Sequence, residues 1–314
     1  MLIVILGPTA CGKTHLAVNL AHKFKGEIIS ADSRQVYRGL DIGTGKDLEQ
    51  YASVQPPVPY HLIDVANPRR QFTLARYQKL AQKAIKNILK RKKIPFLVGG
   101  TGLYIKAVTS GLILPKAKAD PRLRKKLENL TPEKRLRLLE KIDPQALKII
   151  DLKNPRRVIR AIEITQLSGQ KFSKIKPRTR PQYPTLKLGL TFPIEQIRKK
   201  IKKRLIHELD QGLIKEVQNL HQNSLSWQKL DSLGLEYRYA ARFLLKKINK
   251  TRLIQQLNTA IGQYAKRQLT WFKKDPDIHW IKNQKQARIL IQKFMAQQSA
   301  ANKPLRSIPG SRPS

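Results

Sequence analysis

Eight residues near the start of the chain have the types and spacing of a phosphate-binding loop. They run Gly7-Pro8-Thr9-Ala10-Cys11-Gly12-Lys13-Thr14 and fit the pattern GxxxxGK[ST]. In such a loop the glycines let backbone N–H groups converge on phosphate oxygens, and Lys13 adds a positive charge. The Thr14 hydroxyl is the usual Mg²⁺ ligand of this motif. The loop therefore predicts a phosphate or diphosphate ligand, and on this motif alone an ATP-using kinase is the default.

The residues on both sides of the loop predict the strand and helix that it requires. The β-branched run 2–6 predicts a strand, and apolar residues at helical spacing predict a helix over about 14–24. A second strand is predicted at 27–31, directly before Asp32. This order places the loop between a buried strand and the positive end of a helix, where an anion is stabilised.

A second polar segment follows another predicted strand. A helix is predicted at about 74–91 and a buried strand at 94–98, which ends at Gly99-Gly100-Thr101-Gly102. Alternating strands and helices indicate an α/β fold with a parallel sheet, whose ligands bind beyond the carboxyl ends of the strands. We therefore expect Asp32, Thr101 and the phosphate-binding loop at one edge of the sheet.

Composition and predicted secondary structure divide the chain into four segments. Residues 1–115 form the first part of the α/β core, and 116–185 predict a basic, mostly helical insertion without strands. Residues 186–296 return to the core with two short strands and long amphipathic helices, over about 194–221, 235–247 and 251–273. The segment 297–314, rich in Ser, Pro, Asn and Arg, predicts a disordered tail.

The charge of the chain indicates a polyanionic partner. Its 63 Lys and Arg residues outnumber 21 Asp and Glu residues, which gives a formal net charge of +42 and favours nucleic acid binding. A single cysteine excludes an intramolecular disulfide and a Cys-rich zinc site. No stretch approaches the ~20 apolar residues that cross a bilayer. We expect a cytoplasmic protein that does not bind membranes.

Four further blocks carry a family resemblance in combination with the loop. They are Ser30-Ala31-Asp32-Ser33-Arg34-Gln35-Val36-Tyr37-Arg38-Gly39-Leu40-Asp41-Ile42-Gly43-Thr44-Gly45-Lys46, Val98-Gly99-Gly100-Thr101-Gly102-Leu103-Tyr104, Asn154-Pro155-Arg156-Arg157-Val158-Ile159-Arg160-Ala161-Ile162-Glu163 and Tyr264-Ala265-Lys266-Arg267-Gln268-Leu269-Thr270-Trp271-Phe272. In this order, over about residues 3–281, the chain resembles the tRNA dimethylallyltransferase family. The fold that this resemblance implies is a P-loop kinase-like core with a helical insertion that binds the anticodon arm.

The resemblance implies a prenyl transfer from dimethylallyl diphosphate to the N6 amine of an adenosine beside the anticodon of tRNA. Negative charge builds on the departing diphosphate. The resemblance implies that this diphosphate is bound by Thr9, Lys13 and Thr14 together with Mg²⁺. The amine must lose a proton, and Asp32 is the expected general base, positioned by Thr101. Asp32, Thr101 and Lys13 are thus the expected catalytic residues of a monomeric enzyme.

The same resemblance implies contacts with the tRNA anticodon stem-loop. The expected RNA-binding residues are Asp32, Ser33, Arg34, Gln35, Thr101, Arg124, Arg156, Arg157, Val158, Ile159, Arg160, Lys266, Arg267, Gln268 and Trp271. Structural explanations remain open at this stage. Asp32 and Thr101 are both residue types that cap turns and helices. The arginines could form an ordinary exposed basic helix, and Trp271 could belong to the core.

Two departures from the family pattern bear on the site. Cys11 replaces the usual Ser of the loop, which predicts a weaker side-chain hydrogen bond to phosphate. The segment Ser232-Leu233-Gly234-Leu235-Glu236-Tyr237 lacks the usual Lys or Arg after its glycine, and Arg238 follows only later. Three other functions remain as alternatives: an adenylate isopentenyltransferase that uses free nucleotide, a P-loop kinase, and a non-catalytic RNA-binding protein.

Overall fold

A computed structural model describes residues 1–115, 117, 120–175 and 179–301 of the chain. Its centre is a six-stranded, fully parallel sheet with the strand order β3-β2-β4-β1-β5-β6. The strands are β1 (Leu2–Leu6), β2 (Gly26–Ser30), β3 (Tyr60–His61), β4 (Ile94–Gly99), β5 (Thr185–Leu190) and β6 (Ile278–Ile281). The predicted α/β class with a parallel sheet is confirmed. The short edge strand β3 was missed, because two residues give no periodic signal.

The register of the central strands brings the predicted polar segments to one edge. Leu6 of β1 lies beside Gly99 of β4, and Ser30 of β2 lies beside Val98 of β4. Since the strands are parallel, the residues that follow them emerge on the same side of the sheet. All residues of β1, β2 and β4 are buried, which matches strands covered by helices on both faces.

Fourteen α-helices accompany the strands in the described part of the chain. They are α1 (Lys13–Lys23), α2 (Glu49–Ala52), α3 (Leu74–Lys90), α4 (Gly102–Thr109), α5 (Pro121–Glu128), α6 (Pro132–Ile142), α7 (Ala146–Ile149), α8 (Pro155–Ser168), α9 (Ile194–Asp210), α10 (Leu213–Gln222), α11 (Trp227–Leu233), α12 (Leu235–Leu244), α13 (Lys250–Phe272) and α14 (Gln284–Ala301). The single helix expected over 194–221 is two helices. Gly212 adopts a left-handed φ of 101° and separates α9 from α10.

The chain divides into two compact units. The core unit comprises residues 1–109 and the chain from 182 onward, and the insertion unit comprises Ser110–Pro181. The insertion unit has its own apolar core, in which Leu127 of α5, Leu139 of α6 and Ile162 of α8 are buried. Its last residue precedes the predicted boundary at 185, because the Leu2 N–H donates to Pro184 O at 2.8 Å and β5 begins at Thr185.

The C-terminal helix extends further than expected. Helix α14 continues to Ala301, so residues 297–301 are helical instead of belonging to a disordered tail. Ile291 is buried against the sheet and Phe294 packs on the same cluster, which anchors the helix ahead of its last turns. The rest of the predicted tail, 302–314, lies outside the described residues. Within the described part of the chain, no helix is long and apolar enough to cross a membrane.

Candidate active site

A cleft of about 1320 Å³ opens at the carboxyl edge of the sheet, within the core unit. The phosphate-binding loop contributes Thr9, Ala10, Gly12, Lys13 and Thr14 to its lining. Other predicted site residues that line the cleft are Asp32, Ser33, Arg34, Gln35, Arg267 and Gln268. Thr101, Lys266 and Trp271 are not part of the lining. The structure thus brings the expected phosphate site and the expected general base into one cavity.

The loop has the backbone geometry of an anion site. Gly12 adopts φ 84° directly before α1, so the amino end of this helix faces the cleft. The Lys13 ammonium lies back over the loop and donates to Pro8 O at 2.5 Å. Cys11 is buried and does not line the cleft. Its side chain packs into the core cluster with Leu190, and its Sγ accepts from Lys13 Nζ at 3.7 Å, so the expected effect of Cys11 on a phosphate hydrogen bond stays a prediction.

Asp32 has both a structural and an accessible oxygen. Its Oδ1 accepts the backbone N–H of Arg34 at 2.7 Å and that of Gln35 at 3.4 Å, which is the turn-capping arrangement weighed above. Its Oδ2 accepts no hydrogen bond from the described residues, and the residue lines the cleft. Thr101 Oγ1 accepts the Ser33 N–H at 3.0 Å and so fixes the segment that carries Asp32. The geometry fits a carboxylate oriented by one oxygen and free to react through the other.

Gln268 is a brace between the loop and β4. Its Oε1 accepts the Thr9 N–H at 2.8 Å, and its Nε2 donates to Gly100 O at 2.8 Å. The side chain is buried, and a Cβ on Gly100 would come within 2.3 Å of Gln268 Nε2. Gln268 therefore positions the loop against β4, and its expected contact with RNA stays a prediction. Both ends of its amide are already used inside the core unit.

Trp271, one helical turn further, packs in the same way. A Cβ on Gly102 would lie 2.3 Å from Trp271 Cδ1, so this glycine is required for the contact. The indole nevertheless remains 41% exposed. Lys266 and Arg267 on the same helix are exposed, and Arg267 reaches the cleft. The Gly-rich and C-terminal sequence blocks are thus joined in space by α13.

A charge cluster that the sequence analysis missed lines the cleft and contacts the loop. We call Arg204, Glu208 and Glu236 the Arg204 cluster. Arg204 Nε donates to Glu208 Oε1 at 2.6 Å, and Arg204 Nη1 donates to Thr9 Oγ1 at 3.3 Å. The available signal was the i, i+4 pair of Arg204 and Glu208 on α9, which by itself indicates only helix stabilisation.

Glu236 occupies the position at which the family pattern has a Lys or Arg residue. Burial, together with the nearby Glu208 carboxylate, raises the pKa of the Glu236 carboxyl to about 7 against the opposing effect of Arg204. Burial also raises the pKa of Glu208, although Arg204 acts in the opposite direction. One guanidinium therefore faces two carboxylates next to an anion-binding loop.

The loop between β2 and α2 is held by side chains from several elements. Gln35 Nε2 donates to Gly45 O at 3.0 Å, and its Oε1 accepts from Ser30 Oγ at 3.0 Å. Glu216 accepts the backbone N–H of Ile42 at 2.7 Å. Gln35 thus has an internal partner for each end of its amide, which limits its expected role in RNA binding. Its place in the lining of the cleft is a consequence of this bracing.

In the insertion unit, the predicted arginines divide into two pairs. Arg124 Nη2 and Arg160 Nη1 both bond the fully buried Glu163, at 2.8 and 2.5 Å. We call these three residues the Glu163 cluster. Burial alone raises the pKa of Glu163, but the hydrogen bonds from Arg124, Arg160 and the Asp120 N–H outweigh it and hold the pKa below its usual value. Arg124 and Arg160 therefore have a structural role, and their predicted contact with RNA stays a prediction.

The other residues of this block are either exposed or internal. Arg156 and Arg157 are exposed on α8 and accessible to a polyanion, although Arg157 lies within salt-bridge distance of Asp151, at 3.8 Å. Val158 and Ile159 are buried in the apolar core of the insertion unit, so their side chains cannot contact RNA. The helical period of 3.6 residues explains the difference, since Val158 and Ile159 lie on the face of α8 that packs into the apolar core, whereas Arg156 and Arg157 lie on the exposed face.

The residues near the loop suit a magnesium ion that is coordinated mainly by the oxygens of a bound diphosphate. Among the described residues, no group of three or more His, Cys, Asp or Glu side chains could form a metal cage. Thr14 lines the cleft at the amino end of α1 and can offer one hydroxyl oxygen. Mg²⁺ is commonly bound by one or two protein ligands together with phosphate oxygens and water. The residues therefore fit Mg²⁺ delivered with a diphosphate.

Comparison with known proteins gives consistent results. The profile of the family described as IPP transferase matches residues 35–275, and that described as isopentenyl transferase matches residues 1–55. The chain is 42% identical over 284 residues to tRNA dimethylallyltransferase 2 of Trichlorobacter lovleyi, covering 89% of this chain and 91% of the relative. It is 43% identical over 273 residues to tRNA dimethylallyltransferase 2 of Citrifermentans bemidjiense, covering 87% and 86%.

Solved structures show the same architecture. The tRNA isopentenylpyrophosphate transferase of Bacillus halodurans superposes with a TM-score of 0.70 at 35% identity, covering 96% of this chain and 97% of that structure. A eukaryotic dimethylallyltransferase described as acting on tRNA gives a TM-score of 0.73 at 26% identity, covering 98% and 81%. The fold and its arrangement of elements are therefore shared along nearly the whole chain.

Proposed function

The chain belongs to the IPP transferase family, and we propose that it transfers a dimethylallyl group from dimethylallyl diphosphate to tRNA. The acceptor is the exocyclic N6 amine of the adenosine on the 3′ side of the anticodon. One observation carries this assignment: the phosphate-binding loop and the free Oδ2 of Asp32 face the same cleft. The names of the curated relatives support tRNA as the acceptor.

In this reaction the adenine nitrogen forms a bond to C1 of the prenyl group while the C1–oxygen bond to diphosphate breaks. The electron pair of that bond stays on the diphosphate, and the amine proton passes to Asp32. Hydrogen bonds from Arg34 and Gln35 to Oδ1 leave Oδ2 to accept this proton. Thr101 holds the segment in place through Ser33 and acts as a positioning residue.

The diphosphate lies in the loop, where several cations converge. Lys13 and the amino end of α1 stabilise the developing negative charge. Arg204 reaches the loop through Thr9 and is a further diphosphate ligand. Mg²⁺ held by Thr14 supplies additional charge neutralisation on the leaving group when it is bound. The target base must leave its stack to enter the cleft, and Arg34 and Arg267 at the rim are suited to hold the flanking backbone. We place this monomeric enzyme in the cytoplasm with its tRNA substrate.

The test is transfer of labelled dimethylallyl diphosphate to unmodified tRNA in the presence of Mg²⁺. Asp32→Asn retains the Oδ1 acceptor that caps the turn but removes the base, so kcat should fall by about 10²–10⁴-fold. Asp210→Asn is the matched control, because Asp210 is another carboxylate of the same cleft and should retain activity.

Each other outcome selects a different function. Normal transfer by Asp32→Asn would remove Asp32 from the role of base. Transfer to AMP but not to tRNA would identify a free nucleotide as the acceptor. Turnover of ATP without any prenyl transfer would support a P-loop kinase, and tRNA binding without any turnover would support an RNA-binding protein.

A further inference from the structure

Helix α3 carries a basic stripe that the proposed reaction does not use. The stripe consists of Arg76, Lys79, Lys83, Lys86 and Lys90, and all five residues are exposed. Their spacing of three and four residues places them on one face of the helix. The segment Leu74–Lys90 contains no acidic residue. Like charges at this spacing destabilise a helix, so the stripe is not explained by the stability of α3.

The stripe is also not neutralised by neighbouring elements. None of the salt bridges between described residues involves a side chain of the stripe. Arg91 and Lys93, just beyond its end, differ in this respect because both lie within salt-bridge distance of Glu27, at 2.7 and 3.7 Å. The contrast shows that acidic partners are placed beyond the stripe and not along it.

The stripe leads away from the catalytic edge. Tyr77, next to Arg76, donates from its hydroxyl to Ser30 O at 3.0 Å, at the end of β2 and two residues before Asp32. At the other end, Arg91 reaches Glu27 near the start of β2. Between these points the stripe covers about 21 Å at 1.5 Å per residue. It therefore begins beside the cleft and follows the flank of the core unit.

We propose that this stripe binds the phosphate backbone of the paired stem of tRNA whose anticodon loop occupies the cleft. The inference rests on the proposed function for the identity of the RNA. Regularly spaced basic side chains are suited to bind the phosphates of a nucleic acid. Phosphates attract such side chains by charge, and these contacts do not depend on the base sequence. Double-stranded RNA is bound in this way, through its shape and its phosphates.

An anionic lipid surface is the less suitable partner. Helices that lie on membranes insert large apolar side chains next to their basic residues. In α3 the apolar residues Tyr77, Ile85 and Ile88 are buried against the sheet instead. None of the exposed large hydrophobic residues belongs to this helix.

The experiment compares two triple variants with the same change in charge. Lys79→Gln, Lys83→Gln and Lys86→Gln together remove the centre of the stripe. The control combines Lys282→Gln, Lys285→Gln and Lys293→Gln, which are exposed on or next to α14. This helix packs in a different apolar cluster from α3, with Ile291 in one cluster and Ile88 in the other. Affinity for full-length unmodified tRNA is measured over a range of salt concentrations.

The stripe variant should bind tRNA about tenfold more weakly, and its log–log salt slope should fall by roughly 2, because each lost phosphate contact contributes ~0.7–0.9. The control should change the slope by less than half as much. At saturating tRNA, kcat of both variants should equal that of the wild type. Thermal unfolding should show no loss of stability in the stripe variant, because glutamine favours helix and repulsion is relieved.

Two outcomes would overturn the proposal. Equal slopes for the two triple variants would show that the stripe contributes only general charge. Loss of binding to anionic phospholipid vesicles in the stripe variant, with unchanged tRNA affinity, would assign the stripe to a lipid surface. Failure of the proposed function is distinguishable, since then the wild type itself would not transfer a prenyl group to tRNA.

Discussion

The Glu163 cluster and the Arg204 cluster have opposite compositions. In the insertion unit one buried carboxylate bonds two arginines, whereas in the core unit one arginine faces two carboxylates. The pKa of Glu163 is lowered, while those of Glu208 and Glu236 are raised. The first cluster is satisfied internally and stabilises its unit. In the second, Arg204 connects Glu208 to Thr9 of the phosphate-binding loop, and the three residues of the cluster line the cleft.

The largest expected loss of stability comes from removing the shared carboxylate of the Glu163 cluster. Glu163→Ala leaves Arg124 and Arg160 unpaired beside each other and should destabilise the insertion unit by about 3 kcal/mol. Amide hydrogen exchange over α8 is the suitable measurement, because Trp227, Trp271 and Trp280 all lie in the core unit. Exchange over β1 and β4 should be unchanged.

This variant also tests whether the cluster is structural. Arg124→Ala should likewise increase exchange over α8, whereas Arg156→Ala should reduce tRNA affinity without changing exchange, because Arg156 is exposed. Unchanged exchange in both Glu163→Ala and Arg124→Ala would return Arg124 to the RNA-binding residues.

Loss of the arginine of the Arg204 cluster should be detected in catalysis. Arg204→Ala removes a charge-assisted contact with diphosphate worth about 2 kcal/mol, so kcat/KM for dimethylallyl diphosphate should fall roughly 30-fold. Arg204→Lys should give an intermediate value, because it keeps the charge but not the guanidinium fork. Steady-state kinetics at saturating tRNA provide the measurement. A comparable fall in kcat/KM for tRNA, with unchanged kcat/KM for dimethylallyl diphosphate, would contradict the assignment.

Glu236 makes the core unit sensitive to pH. Its folded pKa of about 7 lies above the ordinary carboxyl value of about 4.3, so the folded chain binds the extra proton between these values. Stability of the core unit should therefore fall as pH rises from about 4.5 to 7. By tryptophan fluorescence during urea unfolding, Glu236→Gln should be more stable than the wild type at pH 8, by up to about 4 kcal/mol, and equal to it at pH 4, since one pKa unit corresponds to about 1.4 kcal/mol.

An exposed glutamate provides the control for this pH dependence. Glu128→Gln, in the insertion unit, should leave the pH profile of the fluorescence transition unchanged. If the stability of Glu236→Gln depended on pH in the same way as that of the wild type, the Glu236 carboxyl would be ionised across this pH range. Arg204 would then neutralise its charge.

The residues at the carboxyl edge of the sheet could be predicted, because the strands that end there are recognisable from short stretches of sequence. The run Leu2–Leu6 is buried on both faces, and the glycines that follow it and β4 mark the ends of the strands. The two clusters could not be predicted in the same way. Arg124 meets Glu163 across 39 residues, and the braces of the cleft, Gln268 on Gly100 and Glu216 on Ile42, span 168 and 174. A basic motif has the same sequence whether its arginines bind RNA or a buried carboxylate. Only the fold decides between these roles.

Cys11 gives the smallest expected effect and shows the same lesson within a single motif. Its position in the loop predicts a contact with phosphate, but its side chain is buried in an apolar cluster and is not part of the lining of the cleft, and its Sγ accepts from Lys13 Nζ at 3.7 Å. Cys11→Ser should therefore leave KM for the donor within about twofold, and should cost about 1 kcal/mol of stability in the core unit through burial of a hydroxyl. Donor kinetics and urea unfolding measured on the same preparation separate the two effects. A gain in donor affinity of tenfold or more would mean that the residue at position 11 reaches the phosphate, and that the loop rearranges when the diphosphate binds.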